Sequence, residues 1–324
     1  MRRRKFLGVL GGATAAWPLA ARAQQPAMPV IGFLGLAPAS GYAGRIEAFR
    51  AGLREFSFAE NNNIAIDFRW VENPDQLRKF AAELVQRQAA AIVTSGNATT
   101  VAAKSATSAI PIVFSVADDP VRLGLVASFN KPGGNMTGVS LISGALGAKR
   151  LELLRELAPA AKLIAILANP SNPAEANQRD EQAAARAIGQ QMLVLTATTE
   201  HDIETAFATL VSQRAGAIIV SADAFFTANQ DKIIALAAHH KIPAIYPWRE
   251  YAEVGGLVSY GTNLADSYRQ VGVYVGRILR GVKPADLPVT QPTRIELVIN
   301  LKTAKAVGFE ISAKLLALSD AVIE

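Results

Sequence analysis

The apolar residues of the chain follow two alternating patterns. Short uninterrupted runs, such as Val30–Leu36 and residues 90–94, predict buried β-strands. Between these runs, apolar residues recur at helical spacing, as in residues 44–56 and 75–87, with polar residues on the opposite face. Because buried apolar strands alternate with helices in parallel sheets that are covered on both sides, the pattern predicts an α/β fold.

The two halves of the chain repeat the same order of elements. Residues 89–95 (AAAIVTS) are similar to residues 215–221 (AGAIIVS), and each segment precedes a predicted helix and a strand that opens with Ile-Pro, at Ile110 and Ile242. Two matches in the same order predict two structurally equivalent Rossmann-like lobes, each built on a parallel sheet. A further strand is predicted near the end of the chain, at residues 294–300.

Residues 1–23 have the composition of an export signal. Four basic residues, Arg2 to Lys5, precede an apolar stretch at residues 6–20, and Ala21 and Ala23 supply the small residues that signal peptidase needs. We therefore expect cleavage after Ala23, and the letters RRKFL resemble a twin-arginine signal. The alternative is a membrane anchor, for which this stretch is short.

The net charge depends on that segment. The whole chain has 33 Lys and Arg against 27 Asp and Glu, a formal charge of +6, but residues 1–23 contain five of the basic residues and no acidic one. The cleaved protein would be nearly neutral, which removes the argument for binding to nucleic acid. The chain has no cysteine, so disulfides, thiolate metal sites and cysteine nucleophiles are excluded.

Candidate ligand-binding residues follow the predicted strands. In open α/β sheets, ligands bind at the carboxyl ends of strands and near helix N-termini. The loops at these positions contain hydroxyl, amide, carboxylate and aromatic side chains, which can bind a small polar or aromatic molecule. The candidates are Ser40, Tyr42, Ser95, Gly96, Asn97, Ala98, Ser115, Asp118, Asn169, Ser171, Asn172, Asp223, Phe225, Tyr246 and Tyr260. The alternative is that the hydroxyl residues are only helix caps and the aromatic residues only core.

Motifs for catalysis and for cofactors are missing from the sequence. There is no G-x-G-x-x-G, no Walker A motif and no G-x-S-x-G. The three histidines, His201, His239 and His240, fall on predicted helices without metal-ligand partners. We therefore expect a binding protein that has no enzymatic activity, no cofactor and no metal.

Several segments resemble one protein family. The run from Asp118 to Val126 leads into PGGNMTG at residues 132–138, and NPSNP at residues 169–173 and ELVIN at residues 296–300 follow. The chain resembles the ABC-transporter substrate-binding family that includes tryptophan and other aromatic amino-acid binding proteins. The resemblance extends over the whole chain after the export signal. It implies a type I periplasmic-binding fold, in which two lobes are joined by three crossing segments and a ligand binds in the cleft between them.

The resemblance leads to a division of the chain into lobes. We expect lobe 1 at residues 28–137 plus 263–288, and lobe 2 at residues 140–261 plus 292–324. The three crossings would lie between these segments. In the first of them, near residues 137–140, neighbouring glycines would absorb backbone rotation as the lobes open and close.

The implied function is capture of a solute in the periplasm and its delivery to an ABC permease, by a monomer. A ligand carboxylate would bind at the helix N-terminus of residues 95–99, and Asp118 or Asp223 would pair with a ligand amine. The aromatic residues that could enclose the rest of the ligand are Phe114, Phe225, Tyr246 and Tyr260. A sensing module that serves a receptor and, less strongly, a small-molecule enzyme are the alternatives.

Overall fold

The computed structural model describes residues 28–36, 39–71, 74–141, 143, 146–172 and 176–324. The predicted export signal at residues 1–23 lies outside the described residues. Within the described part of the chain, none of the helices combines the length and the apolar character needed to span a bilayer.

The first sheet has five parallel strands, in the order β2-β1-β3-β4-β5. They are β1 (Val30–Leu36), β2 (Ala65–Val71), β3 (Ala91–Ser95), β4 (Ile112–Val116) and β5 (Met136–Ser140). The central strands are apolar along their length because both faces of the sheet are covered. Of these strands, β1 and β4 have the bounds that the apolar runs predict.

Three helices follow strands of this sheet: α1 (Ala43–Arg54), α2 (Leu77–Gln86) and α3 (Asn97–Ala106). Helices α2 and α3 cover one face of the sheet, where Leu34 of β1 packs in the same apolar cluster as Leu84 of α2. Helix α1 covers the other face. Successive residues of a strand point to opposite faces, so a fully apolar β1 serves both layers.

The second sheet has seven strands, in the order β12-β11-β10-β9-β8-β6-β7. They are β6 (Leu163–Ala168), β7 (Gln191–Thr196), β8 (Ala217–Val220), β9 (Ala244–Tyr246), β10 (Val258–Thr262), β11 (Ile295–Asn300) and β12 (Ala321–Ile323). Strands β10 and β11 pair antiparallel, whereas the other neighbours are parallel. The sequence analysis predicted a wholly parallel sheet. It missed this antiparallel pair because apolar runs carry no information on strand direction.

In the described part of the second half, α4 (Gly147–Leu157) precedes β6. The helices between the strands β6 to β10 are α5 (Ala176–Ala187), α6 (Glu200–Ser212), α7 (Ala224–Ala228), α8 (Gln230–His239) and α9 (Arg249–Glu253). Three more follow β10: α10 (Leu264–Leu279), α11 (Leu301–Val307) and α12 (Ala313–Leu318). Two sheets of mostly parallel strands with helical layers form the predicted α/β fold, with the two halves built alike.

The chain passes from one sheet to the other after Ser140. Residues 137–140, which the sequence analysis took as the first crossing, belong to β5 and are buried. Gly138 is required there by close approach rather than by flexibility, because a Cβ atom would lie 2.1 Å from the carbonyl oxygen of Phe114. Later in the chain, α10 returns from β10 to pack on α1, and β11 then pairs with β10 in the second sheet.

Helices α1 and α10 touch through their backbones. A Cβ atom on Gly52 would lie 2.0 Å from the carbonyl oxygen of Arg269, and one on Gly272 would lie 2.1 Å from that of Phe49. This contact attaches α10, which is distant in sequence, to the first sheet.

We expect Gly52→Ala to lower the free energy of unfolding by about 1–3 kcal/mol, because the added methyl group must push the two helices apart. The matched control is Gly44→Ala in the same helix, where a Cβ atom would meet nothing within 4 Å. Urea denaturation measures the free energy of unfolding of both variants. Equal stabilities of the two variants would contradict the packing described for Gly52.

Candidate functional site

A cavity of about 200 Å³ lies between the two sheets, at the carboxyl ends of their strands. Its wall contains residues that follow β1, β3 and β4 of the first sheet and residues that follow β6 and β8 of the second. In parallel sheets the side chains after neighbouring strands meet at one edge, which is why residues distant in sequence share this cavity.

A chain of hydrogen bonds joins the two halves across the cavity. The side-chain amide of Asn97, at the start of α3, donates to Asp118 Oδ2 (2.5 Å) and to Asn172 Oδ1 (2.9 Å). Asn172 in turn donates to Asp223 Oδ2 (2.8 Å), and Asn169 donates to Asp223 Oδ1 (3.1 Å). The side-chain oxygen of Asn97, Oδ1, is buried and has no hydrogen-bond partner within the described part of the chain.

The carboxylate of Asp223 is held by neutral donors. It is the N-cap of α7 and accepts the backbone N–H groups of Phe225 (2.8 Å) and Phe226 (3.3 Å), besides the amides of Asn169 and Asn172. Removal from water raises the pKa of Asp223, and these hydrogen bonds oppose the rise. No cation neutralises this carboxylate among the contacts described, so it presents negative charge to the cavity wall.

Hydroxyl groups cluster on the other side of the cavity. The Ser95 hydroxyl donates to the phenol oxygen of Tyr42 (3.3 Å) and shares a hydrogen bond with that of Tyr268. Burial raises the pKa of Tyr268 to about 12, so its phenol stays protonated near neutral pH. Ser115 also lies on the wall and is buried, and its hydroxyl acts on the Tyr268 phenol.

Arg45 of α1 also lies in the wall, with 7% of its surface exposed. Its guanidinium carbon is 4.7 Å from the centroid of the Tyr42 ring, but Nε and Nη2 have no hydrogen-bond partner among the residues that the structure describes. Burial works to lower the pKa of Arg45, whereas Tyr268, Tyr42 and Glu250 raise it and leave it above its usual value. The guanidinium is therefore a buried cation at the cavity.

Most of the residues singled out in the sequence lie on the wall of this cavity. They are Tyr42, Ser95, Gly96, Asn97, Ala98, Ser115, Asn169, Ser171, Asn172, Asp223 and Phe225. The backbone of Ser40 lies in a short 3-10 helix before α1, and its side chain lies outside the described residues.

Three other candidates are not among the residues that line the cavity. Asp118 is buried and accepts a hydrogen bond from the side-chain amide of Asn97. Tyr246 is fully buried with its ring stacked on Tyr251 (4.9 Å between centroids), and burial raises its pKa. The ring of Tyr260 packs against the apolar layer beneath the second sheet. Both tyrosines lie within strands, so their side chains leave the sheet through its faces rather than at its edge.

The structure adds residues that the sequence analysis did not include among its candidates. The polar and aromatic ones are Arg45, Thr198, Thr227, Trp248 and Tyr268, and the others are aliphatic, including Leu36, Val71 and Leu264. Tyr268 is on α10, 173 residues after its partner Ser95. No local pattern could have placed these two side chains together.

Among the described residues, no group of three or more His, Cys, Asp and Glu side chains is arranged to hold a metal ion. His239 and His240 contact each other, and His201 is largely exposed beside Glu204. The cavity wall combines hydrogen-bonding and charged groups with aromatic and aliphatic side chains.

Comparisons with known proteins agree with this architecture. A family model described as ABC transporter substrate binding protein matches residues 40–323. A tyrosine-binding protein of Clostridioides difficile is 27% identical over 266 residues, which cover 82% of this chain and 76% of the relative.

Two solved structures are each 25% identical and cover 91% of this chain and 99% of their own. One, from Streptococcus pneumoniae in complex with L-Trp, superposes with a TM-score of 0.82. The other, a ligand-free, open substrate-binding protein from Clostridium difficile, superposes with a TM-score of 0.63.

Proposed function

The chain belongs to the family of ABC transporter substrate-binding proteins, with the type I periplasmic-binding fold, and on this premise we propose that it captures an aromatic amino acid in the cavity between its sheets. The observation that carries the proposal is a pair of acceptors on opposite walls. Asn97 Oδ1 is buried and unpartnered, and the Asp223 carboxylate is held only by neutral donors. Both line the cavity.

An ammonium group satisfies this arrangement. A buried acceptor without a donor costs free energy, and a buried carboxylate needs a countercharge. A ligand amine supplies three N–H donors and one positive charge, so one group meets both needs. The amine would then contact both halves of the protein, because Asn97 belongs to the first half and Asp223 to the second.

An aromatic side chain suits the rest of the wall. Phe225 and Trp248 provide rings, and Leu36, Val71 and Leu264 provide aliphatic surface. Rings that stack edge-to-face or offset contribute about 0.5–1.5 kcal/mol beyond the area they bury. A tyrosine-binding relative and a structure with bound L-Trp support this choice of ligand class.

Ligand binding would favour a closed arrangement of the two halves. At equal sequence identity, this chain superposes better on the structure with L-Trp than on the ligand-free, open one. The hydrogen bond from Asn97 to Asn172 joins the halves. A ligand that contacts both walls stabilises the closed form through its differential affinity for the two forms.

The further steps of the proposal are export and delivery. The signal at residues 1–23 would take the protein to the periplasm and be cleaved after Ala23, and the closed monomer would present both lobes to an ABC permease in the inner membrane. The chain would return its ligand unchanged, since substrate-binding relatives, rather than enzymes, support its assignment.

We expect L-tryptophan or L-tyrosine to raise the melting temperature of the purified protein. At 100 times the Kd, mass action adds about 2.7 kcal/mol of stability, or several degrees in a protein of this size. L-Alanine, which lacks the ring, is the control ligand and should give a much smaller shift. The absence of any shift with L-tryptophan, L-tyrosine and L-phenylalanine at millimolar concentration would contradict the proposed ligand class.

A further inference from the structure

Arg45 is a buried cation in the cavity wall. Two of its nitrogens have no hydrogen-bond partner among the described residues. Its side chain is more than nine-tenths buried, and both Nε and Nη2 lack an acceptor. Burying a cation and its donors in this way is unfavourable unless an anion meets them. The Tyr42 ring stabilises the charge through its face but accepts no hydrogen bond from these nitrogens.

Hydroxyl groups line the cavity together with Arg45. Tyr42, Tyr268 and Ser95 form a hydrogen-bonded cluster, and the hydroxyl of Ser115 lines the same cavity. The carboxylate whose charge acts on Arg45 is that of Glu250, in α9. Among the described residues, Glu250 Oε2 also lacks a hydrogen-bond partner, so this oxygen accepts no hydrogen bond from the guanidinium.

We propose that Arg45 binds the carboxylate of the ligand and makes the cavity selective for carboxylic acids. A guanidinium and neighbouring hydroxyl groups are the donors that suit a carboxylate. The identity of the acid rests on the proposed function: with Asn97 and Asp223 accepting the amine, the cavity would take a zwitterionic amino acid. This assignment differs from the sequence-based expectation that the carboxylate binds at the helix N-terminus of residues 95–99.

The rival explanation is an ion pair between Arg45 and Glu250. These residues come from the two halves of the protein, α1 and α9, and could pair when the halves move. In that case Arg45 would control closure and would not recognise a carboxylate. The experiment must therefore separate recognition of an acid from a contact between the halves.

The test compares Arg45→Met with Arg50→Met, a matched change in the same helix. Arg50 donates through Nε to Glu60 (2.7 Å) and does not line the cavity. Titration calorimetry measures the affinity of each protein for L-tryptophan and for tryptamine. Tryptamine keeps the ring and the amine of tryptophan but lacks the carboxylate. The wild type should bind L-tryptophan at least about 30-fold more tightly than tryptamine, the range for a buried charge pair. Arg45→Met should abolish this preference and Arg50→Met should keep it.

Melting temperatures without ligand give a second, independent result. Replacing an unpaired buried cation by an apolar side chain of similar length should leave the melting temperature unchanged or raise it by a few degrees. A lower melting temperature in both Arg45→Met and Glu250→Gln, with no further loss in the double variant, would show an ion pair between the halves and overturn the proposal. An equal loss of L-tryptophan and tryptamine affinity in Arg45→Met would also overturn it.

The outcome does not depend on the choice of tryptophan. If the wild type binds neither L-tryptophan nor L-tyrosine, the proposed function fails, and small carboxylates tested against their amides, such as benzoate and benzamide, then decide the role of Arg45. The role of Arg45 would be supported if the acids, but not the amides, raise the melting temperature of the wild type. The shift should be kept in Arg50→Met and lost in Arg45→Met. No shift with any acid, or equal shifts with acids and amides, would refute it.

Discussion

Asp223→Asn is expected to lower the affinity for an aromatic amino acid about 100-fold, or about 2.7 kcal/mol. Asparagine keeps an oxygen that can accept the N–H of Phe225 and cap α7, but it removes the negative charge that would pair with the ligand amine. It also places N–H donors opposite the amides of Asn169 and Asn172, which now donate to the carboxylate. Titration calorimetry with L-tryptophan measures the change.

The matched control for this variant is Asp119→Asn. Asp119 likewise accepts two backbone N–H groups, those of Val121 (2.8 Å) and Arg122 (3.3 Å), but it does not line the cavity. Its replacement should leave ligand affinity unchanged. Similar affinities for Asp223→Asn and the wild type would show that the amine lies elsewhere.

The pH dependence of binding follows from the same carboxylate. The Asp223 side chain must be ionised to pair with an amine, so wild-type affinity is present at high pH and is lost as the pH falls through its pKa. Burial raises that pKa above the ordinary 3.8, and the loss should therefore begin at a higher pH than for an exposed aspartate. Asp223→Asn should lack this pH dependence.

Arg150→Met is expected to lower the free energy of unfolding by about 3–5 kcal/mol. Arg150 is 1% exposed and holds three oxygens: Nε donates to the Tyr260 carbonyl (2.8 Å), and Nη1 and Nη2 donate to the carbonyl (3.1 Å) and the hydroxyl (2.9 Å) of Ser143. Methionine would leave these acceptors without their donor. It would also remove the positive charge near Glu181, which is itself buried.

Urea denaturation tests this prediction against an exposed arginine of the same helix. Arg155→Met in α4 should change stability little. The double variant Arg150→Met/Glu181→Leu should recover part of the loss, because removing both charges ends their desolvation. Burial lowers the pKa of Arg150 to about 10, although the negative charge of Glu181 acts to raise it. The lowered pKa reflects the cost of desolvating the guanidinium. Equal stabilities of Arg150→Met and Arg155→Met would contradict the role of this side chain.

Arg150 also holds the segment that follows β5 against the second sheet. Ser143 follows β5 of the first sheet, and Tyr260 is in β10 of the second. The guanidinium therefore fixes the crossing segment to the second sheet. Arg150 is a buried arginine in an otherwise apolar face of α4. Its three hydrogen bonds to oxygen atoms account for its burial.

The regular elements were predictable where hydrophobic burial alone determines them. Strand β4 has the bounds of its apolar run because both faces of the sheet are covered. The glycines in and before residues 137–140 predict a crossing there, whereas pairing with β4 makes this segment a strand. The short helices α7 and α9 were missed, since five residues show no helical period.

The α/β class, the two similar halves and the polar residues after the strands follow from the amino-acid sequence alone. These features depend on local burial patterns and on the rule that ligands bind at strand ends. The sequence also sets the nearly neutral charge of the chain after residue 23.

The set of side chains that share the cavity depends on how distant segments pack against one another. Arg45 looks in the sequence like one of several charged residues on an amphipathic helix, and Tyr268 like a core residue of α10. The packing of α10 on α1, and of both against the second half, places them beside Ser95 and Trp248. Such contacts depend on residues more than 150 positions apart, and periodicity along the chain carries no information about them.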